Sequence, residues 1–311
     1  SVGQHNNGKL KFWIIARQHP GESQASWWME GFLRRLLDKN DAVALRLLDK
    51  VDFYVVPNMN PDGSKRGYLR VNAAGKNLNR EWDRATMEES PEVFQCQAAM
   101  KTTGMDFCLD VHSEEELEYV FLSKTPLGIP DLKAEQEQLY WSYCSCLQQA
   151  NPEFQTEFGY KMPEKGKSNL GICCAWAAQE YGCLAMTQEQ PFKDNCLFPE
   201  KQEEWSVDRC RKLGFSVLDA MYGVLGKLAS YRGRGPAVTA GNDAMSEKIV
   251  KIIRSCDDDT GEGVSITTIT GELKRLGGDV SVLRRVVAEM CDDGLLYSTI
   301  DDDHFATTTA E

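Results

Sequence analysis

The chain has 311 residues, 42% of them hydrophobic and 26% charged, and a formal net charge of −12. That length can bury a sizeable core as one large domain or as a large and a small one, and no apolar run reaches the ~18 residues of a membrane helix. The acidity excludes general nucleic-acid binding, which needs a basic surface to neutralise phosphates.

Taken in chain order, short runs rich in Val, Ile, Phe and Tyr predict buried strands at residues 11–16, 52–57, 106–111, 119–122 and 183–187. Segments of helical period lie between them. Ser23 is the predicted N-cap of a helix running through Trp27, Trp28, Gly31, Phe32, Leu36 and Leu37. Further helices are predicted at 91–100, 131–149, 169–181 and 203–228. Continuous apolar strands alternating with helices indicate an α/β fold, a mostly parallel mixed sheet flanked by helices on both faces. After Leu228 the sequence ASYRGRGPAVTAGN reads as a linker over 229–242. Helix patterns follow at 243–254, 266–276 and 280–292, then two short strands around an Asp-rich turn within 295–309. Three helices and a hairpin suggest a small winged-helix module. Residues 241–311 hold 15 acidic and 7 basic side chains, so most of the negative charge lies there.

The eleven cysteines are odd in number and form no C-x-x-C pair. No secretory signal opens the chain, so they read as reduced thiols of a cytoplasmic or nuclear protein. The first residue is Ser1 rather than Met, which points to processing or to an excerpt of something longer.

The most informative feature is the placement of His19, Glu22 and His112. RQHPGES (residues 17–23) follows the first strand and DVHS (110–113) ends the third. Two imidazoles and one carboxylate leave a tetrahedral Zn²⁺ with one open corner, as in catalytic rather than structural sites. Ligands gather at the carboxyl ends of strands in such sheets, where both motifs fall. Asp110, two residues before His112, points to the same side of a regular strand and could support that imidazole. His5 reads as a tail residue, and His304 as part of the C-terminal hairpin.

Further motifs accompany the histidines. NPDG, Arg70 and the NLNREW run with Asn79 and Arg80 follow the second strand, and QEQPFKDN with Glu189 ends the last one. Over roughly residues 9–228 these motifs, in this order, resemble the zinc carboxypeptidases, and within them the cytosolic carboxypeptidase branch. The resemblance implies zinc as cofactor, with His19, Glu22 and His112 as its ligands. It implies Glu189 as general base, Arg70 as support for the oxyanion, and Asn79 with Arg80 as the clamp on the substrate's terminal carboxylate. A planar guanidinium suits that clamp because it can give two parallel charge-assisted bonds. The expected reaction is hydrolysis of the last peptide bond of peptide or protein C-termini. Glutamate termini are the expected preference, with Arg17, Lys76, Lys161 and Lys193 as candidate cations in the side-chain pocket.

Two departures from the family pattern stand out. Gln188 and Gln190 flank Glu189 where apolar residues are usual, and the strands that open the family's catalytic sheet have no counterpart before Lys9. The expected domains are a catalytic one at 1–228, truncated at its start, a linker at 229–242, and a winged helix at 243–311. The last, through YSTIDDDHF (297–305), resembles the C-terminal domain of the middle subunit of replication protein A, which implies docking of a protein helix. Direct nucleic-acid and membrane contacts are not expected. The alternative is a scaffold with an impaired site, whose winged helix binds replication or repair proteins.

Overall fold

In a computed structural model, the residues described are 8–197, 204–232, 240–256, 263–276, 283, 286–287, 296–299 and 304–307; for 240–247, 297, 298 and 307 only the backbone is described. The chain divides into two compact units, residues 1–236 and 237–311.

The first unit is built on a five-stranded sheet. Its strands are β1 (Leu10–Ala16), β2 (Val51–Val56), β3 (Phe107–Val111), β4 (Phe121–Leu122) and β5 (Leu184–Glu189), in the order β2-β1-β3-β5-β4. All pairings are parallel except β4 against β5. Every residue of β1, β3 and β5 is buried, which is why β1 and β3 read as largely apolar runs, whereas the edge strand β2 is mostly half-buried.

Alternation along each strand divides the interior into two cores. Phe12, Ile14, Leu109, Val111 and Met186 face α1 (Gln24–Leu36), α2 (Ala42–Lys50), α5 (Ala134–Ala150) and α7 (Val207–Arg232). Trp13, Ile15, Cys108 and Ala185 face α4 (Pro91–Thr103) and α6 (Cys173–Tyr181). Asp110, His112, Thr187 and Glu189 have the parity of Cys108 and Ala185, so the polar chemistry shares one face. The two helices α1 and α7 cross backbone to backbone. A Cβ at Gly31 would lie 2.1 Å from the Arg211 carbonyl oxygen, and one at Gly214 would lie 2.0 Å from that of Trp28.

The elements match the sequence reading with a few corrections. Ser23 precedes α1 in a helical conformation and its side chain caps nothing, because the turn Glu22–Ala25 is already closed by backbone bonds. Two short helices were not anticipated. In α2, Asp41 accepts from Ala44 N, and α3 (Pro61–Arg66) is capped by Asn60 accepting from Gly63 N.

The second unit contains α8 (Ala240–Cys256), α9 (Ile266–Arg275) and three short strands, β6 (Val264–Ser265), β7 (Leu296–Ser298) and β8 (His304–Thr307). They pair antiparallel in the order β6-β8-β7 around a core that includes Ile249, Ile253, Ile269, Leu273 and Phe305. The hairpin is present and β6 adds a strand to it; His304 lies in β8. Of the expected helix at 280–292 only Leu283, Val286 and Val287 are described, all buried, and His5 lies outside the described residues. No described helix is long and apolar enough to cross a membrane, and the described cysteines are free thiols.

Candidate functional site

Strand register positions the site. Ala16 pairs with Val111, Val111 with Gln188, and Glu189 with Phe121, so the carboxyl ends of β1, β3 and β5 lie side by side. The residues just beyond them converge on one cavity of about 440 Å³, lined by all seven site residues expected from the sequence: His19, Glu22, Arg70, Asn79, Arg80, His112 and Glu189.

The loop carrying His19 and Glu22 begins with Arg17 in the left-handed region, φ 62°. Its guanidinium donates to Ser26 Oγ at 2.6 Å and to the Pro20 carbonyl at 2.5 Å, tying the loop to the start of α1. Arg17 therefore braces the loop and is no part of the cavity lining. Neither are Lys76, paired with Glu89 at 2.9 Å, nor Lys161 and Lys193, both exposed. The four cations expected in a glutamate pocket are thus placed elsewhere, because each serves a loop or solvent.

Within the cavity, His19 Nδ1 lies 2.5 Å from Glu22 Oε1, and His112 Nδ1 lies 2.9 Å from Glu22 Oε2 and 3.1 Å from His19 Nδ1. Ligand atoms of the three buried residues all lie within 4.8 Å of one another, a group able to hold a metal ion. The far side of each ring has its own oxygen. His19 Nε2 is 3.0 Å from Asn77 Oδ1, and His112 Nε2 is 2.8 Å from Asp110 Oδ2. Metal-binding imidazoles characteristically hand their second N–H to such an acceptor, so the donor set and its surroundings fit zinc. Asn77 was not anticipated; it caps the 3-10 turn Leu78–Arg80, and nothing in its local sequence marks the contact to His19.

The charges respond to this crowding. Burial alone would raise Glu22, but the His112 charge and hydrogen bonds from both imidazoles bring it down to about 2. For His112, burial disfavours the cation, yet Asp110 and Glu22 outweigh it and raise the imidazole well above its usual value. Glu189 goes the other way. Burial pushes its carboxyl up to about 8, opposed by His112 and assisted by Glu22, Glu114 and Asp110. Tyr160, not singled out in the sequence, donates its hydroxyl to Glu114 and lies 3.3 Å from Glu189 Oε1.

Across the cavity, Asn79 is fixed by accepting from Cys173 N at 2.9 Å, and Arg80 donates to the Asn79 carbonyl at 2.6 Å. Burial and the neighbouring Arg70 charge lower the Arg80 pKa. Two adjacent guanidiniums of this kind would be relieved by an anion between them. Gln188 and Gln190 are fully buried, each accepting from an indole, Trp28 at 3.1 Å and Trp205 at 3.2 Å.

The model of the zinc carboxypeptidase family matches residues 1–205. The chain belongs to that family. An uncharacterized protein from Zymomonas mobilis is 47% identical over 211 residues, covering 68% of this chain and 55% of that protein. Human cytosolic carboxypeptidase 1 is 32% identical over 124 residues, 38% of this chain and 10% of that one. Among solved structures, the metallo-carboxypeptidase from Pseudomonas aeruginosa in complex with (2-guanidinoethylmercapto)succinic acid is 43% identical at a TM-score of 0.69, covering 73% of this chain and 60% of that one. The metallo-carboxypeptidase from Burkholderia cenocepacia is 40% identical at a TM-score of 0.67, with coverages of 72% and 60%. The chain thus spans about half the length of the Zymomonas relative and about a tenth of the human one. A second family, the replication protein A C terminal, matches residues 215–303, beginning within α7 of the zinc carboxypeptidase unit.

Proposed function

We propose that the protein is a zinc-dependent carboxypeptidase that hydrolyses the last peptide bond of polypeptides, with the ion held by His19, Glu22 and His112. The observation that carries this reading is the buried convergence of those donors with Glu189 in one cavity, in a chain of this family. When bound, zinc supplies Lewis-acid polarisation and the acidification of water. Glu189 takes the proton from the attacking water and returns it to the leaving amine, a role suited to a carboxylate whose burial raises its basicity. Arg80, aided by Asn79, binds the substrate's free carboxylate, and Arg70 faces the developing oxyanion.

For the terminal residue we propose glutamate, whose side-chain carboxylate would share Arg70 with the oxyanion while Arg80 holds the main-chain carboxylate. A second reading, a basic terminal residue, is favoured by Glu114, Glu115 and Glu116 in the lining and by the guanidino ligand of the Pseudomonas relative. Assaying zinc content and amino-acid release from peptides ending in Glu, Asp, Lys or Leu, for wild type and Glu189→Gln, decides both points. Zinc bound by both proteins, with release by wild type alone, is expected, and the fastest terminus gives the preference. Wild type without zinc or without release would sink the enzymatic reading, leaving the scaffold alternative.

We further propose the domain limits 1–228 and 243–311 joined by a linker at 229–242, into which α7 extends as far as Arg232 and within which α8 already begins at Ala240, with the second domain docking a protein helix and the enzyme acting in the cytoplasm or nucleus. A replication-type family match and an acidic C-terminal stretch support the docking.

A further inference from the structure

Behind His112 lies a hydrogen-bonded chain that the reaction scheme does not use. Trp82 Nε1 is 2.9 Å from Gln18 Oε1, Gln18 Nε2 is 2.6 Å from Asp110 Oδ2, and that same oxygen is 2.8 Å from His112 Nε2. All four side chains are buried, Gln18 and Asp110 completely. The backbone of Gln18 is held too, its carbonyl accepting from Asn60 Nδ2 at 3.0 Å.

The direction of this chain follows from the inventory of donors. An indole N–H can only donate, so the Gln18 atom that faces Trp82 is the carbonyl oxygen and its NH₂ group faces Asp110. Asp110 Oδ2 is therefore an acceptor toward Gln18, and it accepts from His112 Nε2–H as well. With its proton held on Nε2, His112 turns Nδ1 toward Glu22 and His19. Asn79 Nδ2, 3.3 Å from His112 Nε2, is a donor and cannot replace Asp110 as the acceptor.

We propose that Gln18 is a positioning residue for the metal centre, holding Asp110 as acceptor of the His112 Nε2 proton, with Trp82 fixing which end of the Gln18 amide faces Asp110. The inference rests on the zinc reading given above. It differs from a plain core-filling role because Gln18 then acts on the metal only through Asp110.

Zinc affinity, measured by competition with a chromogenic chelator, tests it on the full chain. Gln18→Met keeps the length of the side chain and removes both polar ends. The expected loss in zinc affinity is roughly tenfold, the lower end of what supporting residues of metal ligands contribute. In an Asp110→Asn background the same Gln18→Met change is expected to cost nothing more, since residues acting in series are not additive. Trp82→Phe, which frees the amide to turn, is expected to lower affinity in the same direction by a smaller factor, and gives the same readout should Gln18→Met fold poorly. Unchanged affinity in Gln18→Met, or losses that multiply with those of Asp110→Asn, would overturn the inference while leaving the zinc site intact. A wild-type protein that binds no zinc would overturn both.

Discussion

The indole nitrogen of Trp28 on α1 donates to Gln188 Oε1 at 3.1 Å, on the face of β5 opposite Glu189. Gln190 repeats the arrangement with Trp205 at 3.2 Å. Successive strand residues alternate, so two amides on one side hold the strand end that presents the carboxylate on the other. The glutamines that depart from the family pattern are therefore anchors set in the opposite core, not part of the cavity wall.

Replacing Gln188 by Leu leaves the Trp28 N–H buried without its acceptor. An unsatisfied buried donor costs about 1–3 kcal/mol, so urea unfolding of the first unit is expected to shift to lower concentration by a corresponding amount. A variant as stable as wild type would show that the indole finds another acceptor and that the anchor is dispensable.

With Glu189 as the proposed base, the pH dependence of hydrolysis would follow from its raised carboxyl. The base works as a carboxylate, so its active fraction falls as pH drops through its pKa, which burial moves from 4.5 up to about 8. A bound dication favours the charged form and pulls the value back. The acid limb of kcat/KM is thus expected between pH 4.5 and 8. A profile still flat at the lower of these values would contradict the assignment of Glu189 as base.

Arg80 provides a prediction about chemical selectivity. A charge-assisted hydrogen bond to a carboxylate contributes about 1.5–3 kcal/mol, so Arg80→Ala is expected to lower kcat/KM for a free C-terminus by roughly ten- to a hundredfold. The same peptide with an amidated terminus is expected to be a poor substrate for wild type and equally poor for the variant. Steady-state kinetics on the acid and amide pair provide the check, and an equal loss on both would place Arg80 outside the carboxylate clamp.

Much of this arrangement was legible in the sequence. Largely apolar runs such as KFWIIA locate strands buried on both faces, motifs at strand ends bring His19, Glu22 and His112 together, and the family resemblance implied the roles of Arg70, Asn79, Arg80 and Glu189, so that the seven expected residues line one space. Other features lacked a sequence signal because they depend on what meets in three dimensions. Tyr160 reaches Glu189 across 29 positions of chain from an irregular loop, and Asn77 reaches His19 across 58. Arg17 looked like a pocket cation because its charge was visible, while the Ser26 and Pro20 acceptors that claim it were not. Residues 42–50 were too short a run to separate by periodicity from their surroundings, and the Asp41 cap declares itself only through its bond to Ala44 N.

Glycines along α7 offer a test of packing with opposite signs in one helix. At Gly214 a methyl group would lie 2.0 Å from the Trp28 carbonyl oxygen, and that atom belongs to the backbone of α1, which cannot move alone. Gly214→Ala must push the two helices apart, and overpacking of this kind costs about 1–3 kcal/mol or more. Gly226 lies on the same helix, exposed, and a methyl group added there would meet nothing within 4 Å. There the substitution only removes glycine's excess freedom in the unfolded chain, so Gly226→Ala is expected to stabilise by about 0.5–1 kcal/mol. Thermal unfolding of the two variants should therefore move in opposite directions from wild type. Matching shifts would mean that the α1–α7 crossing yields more easily than its backbone contacts indicate.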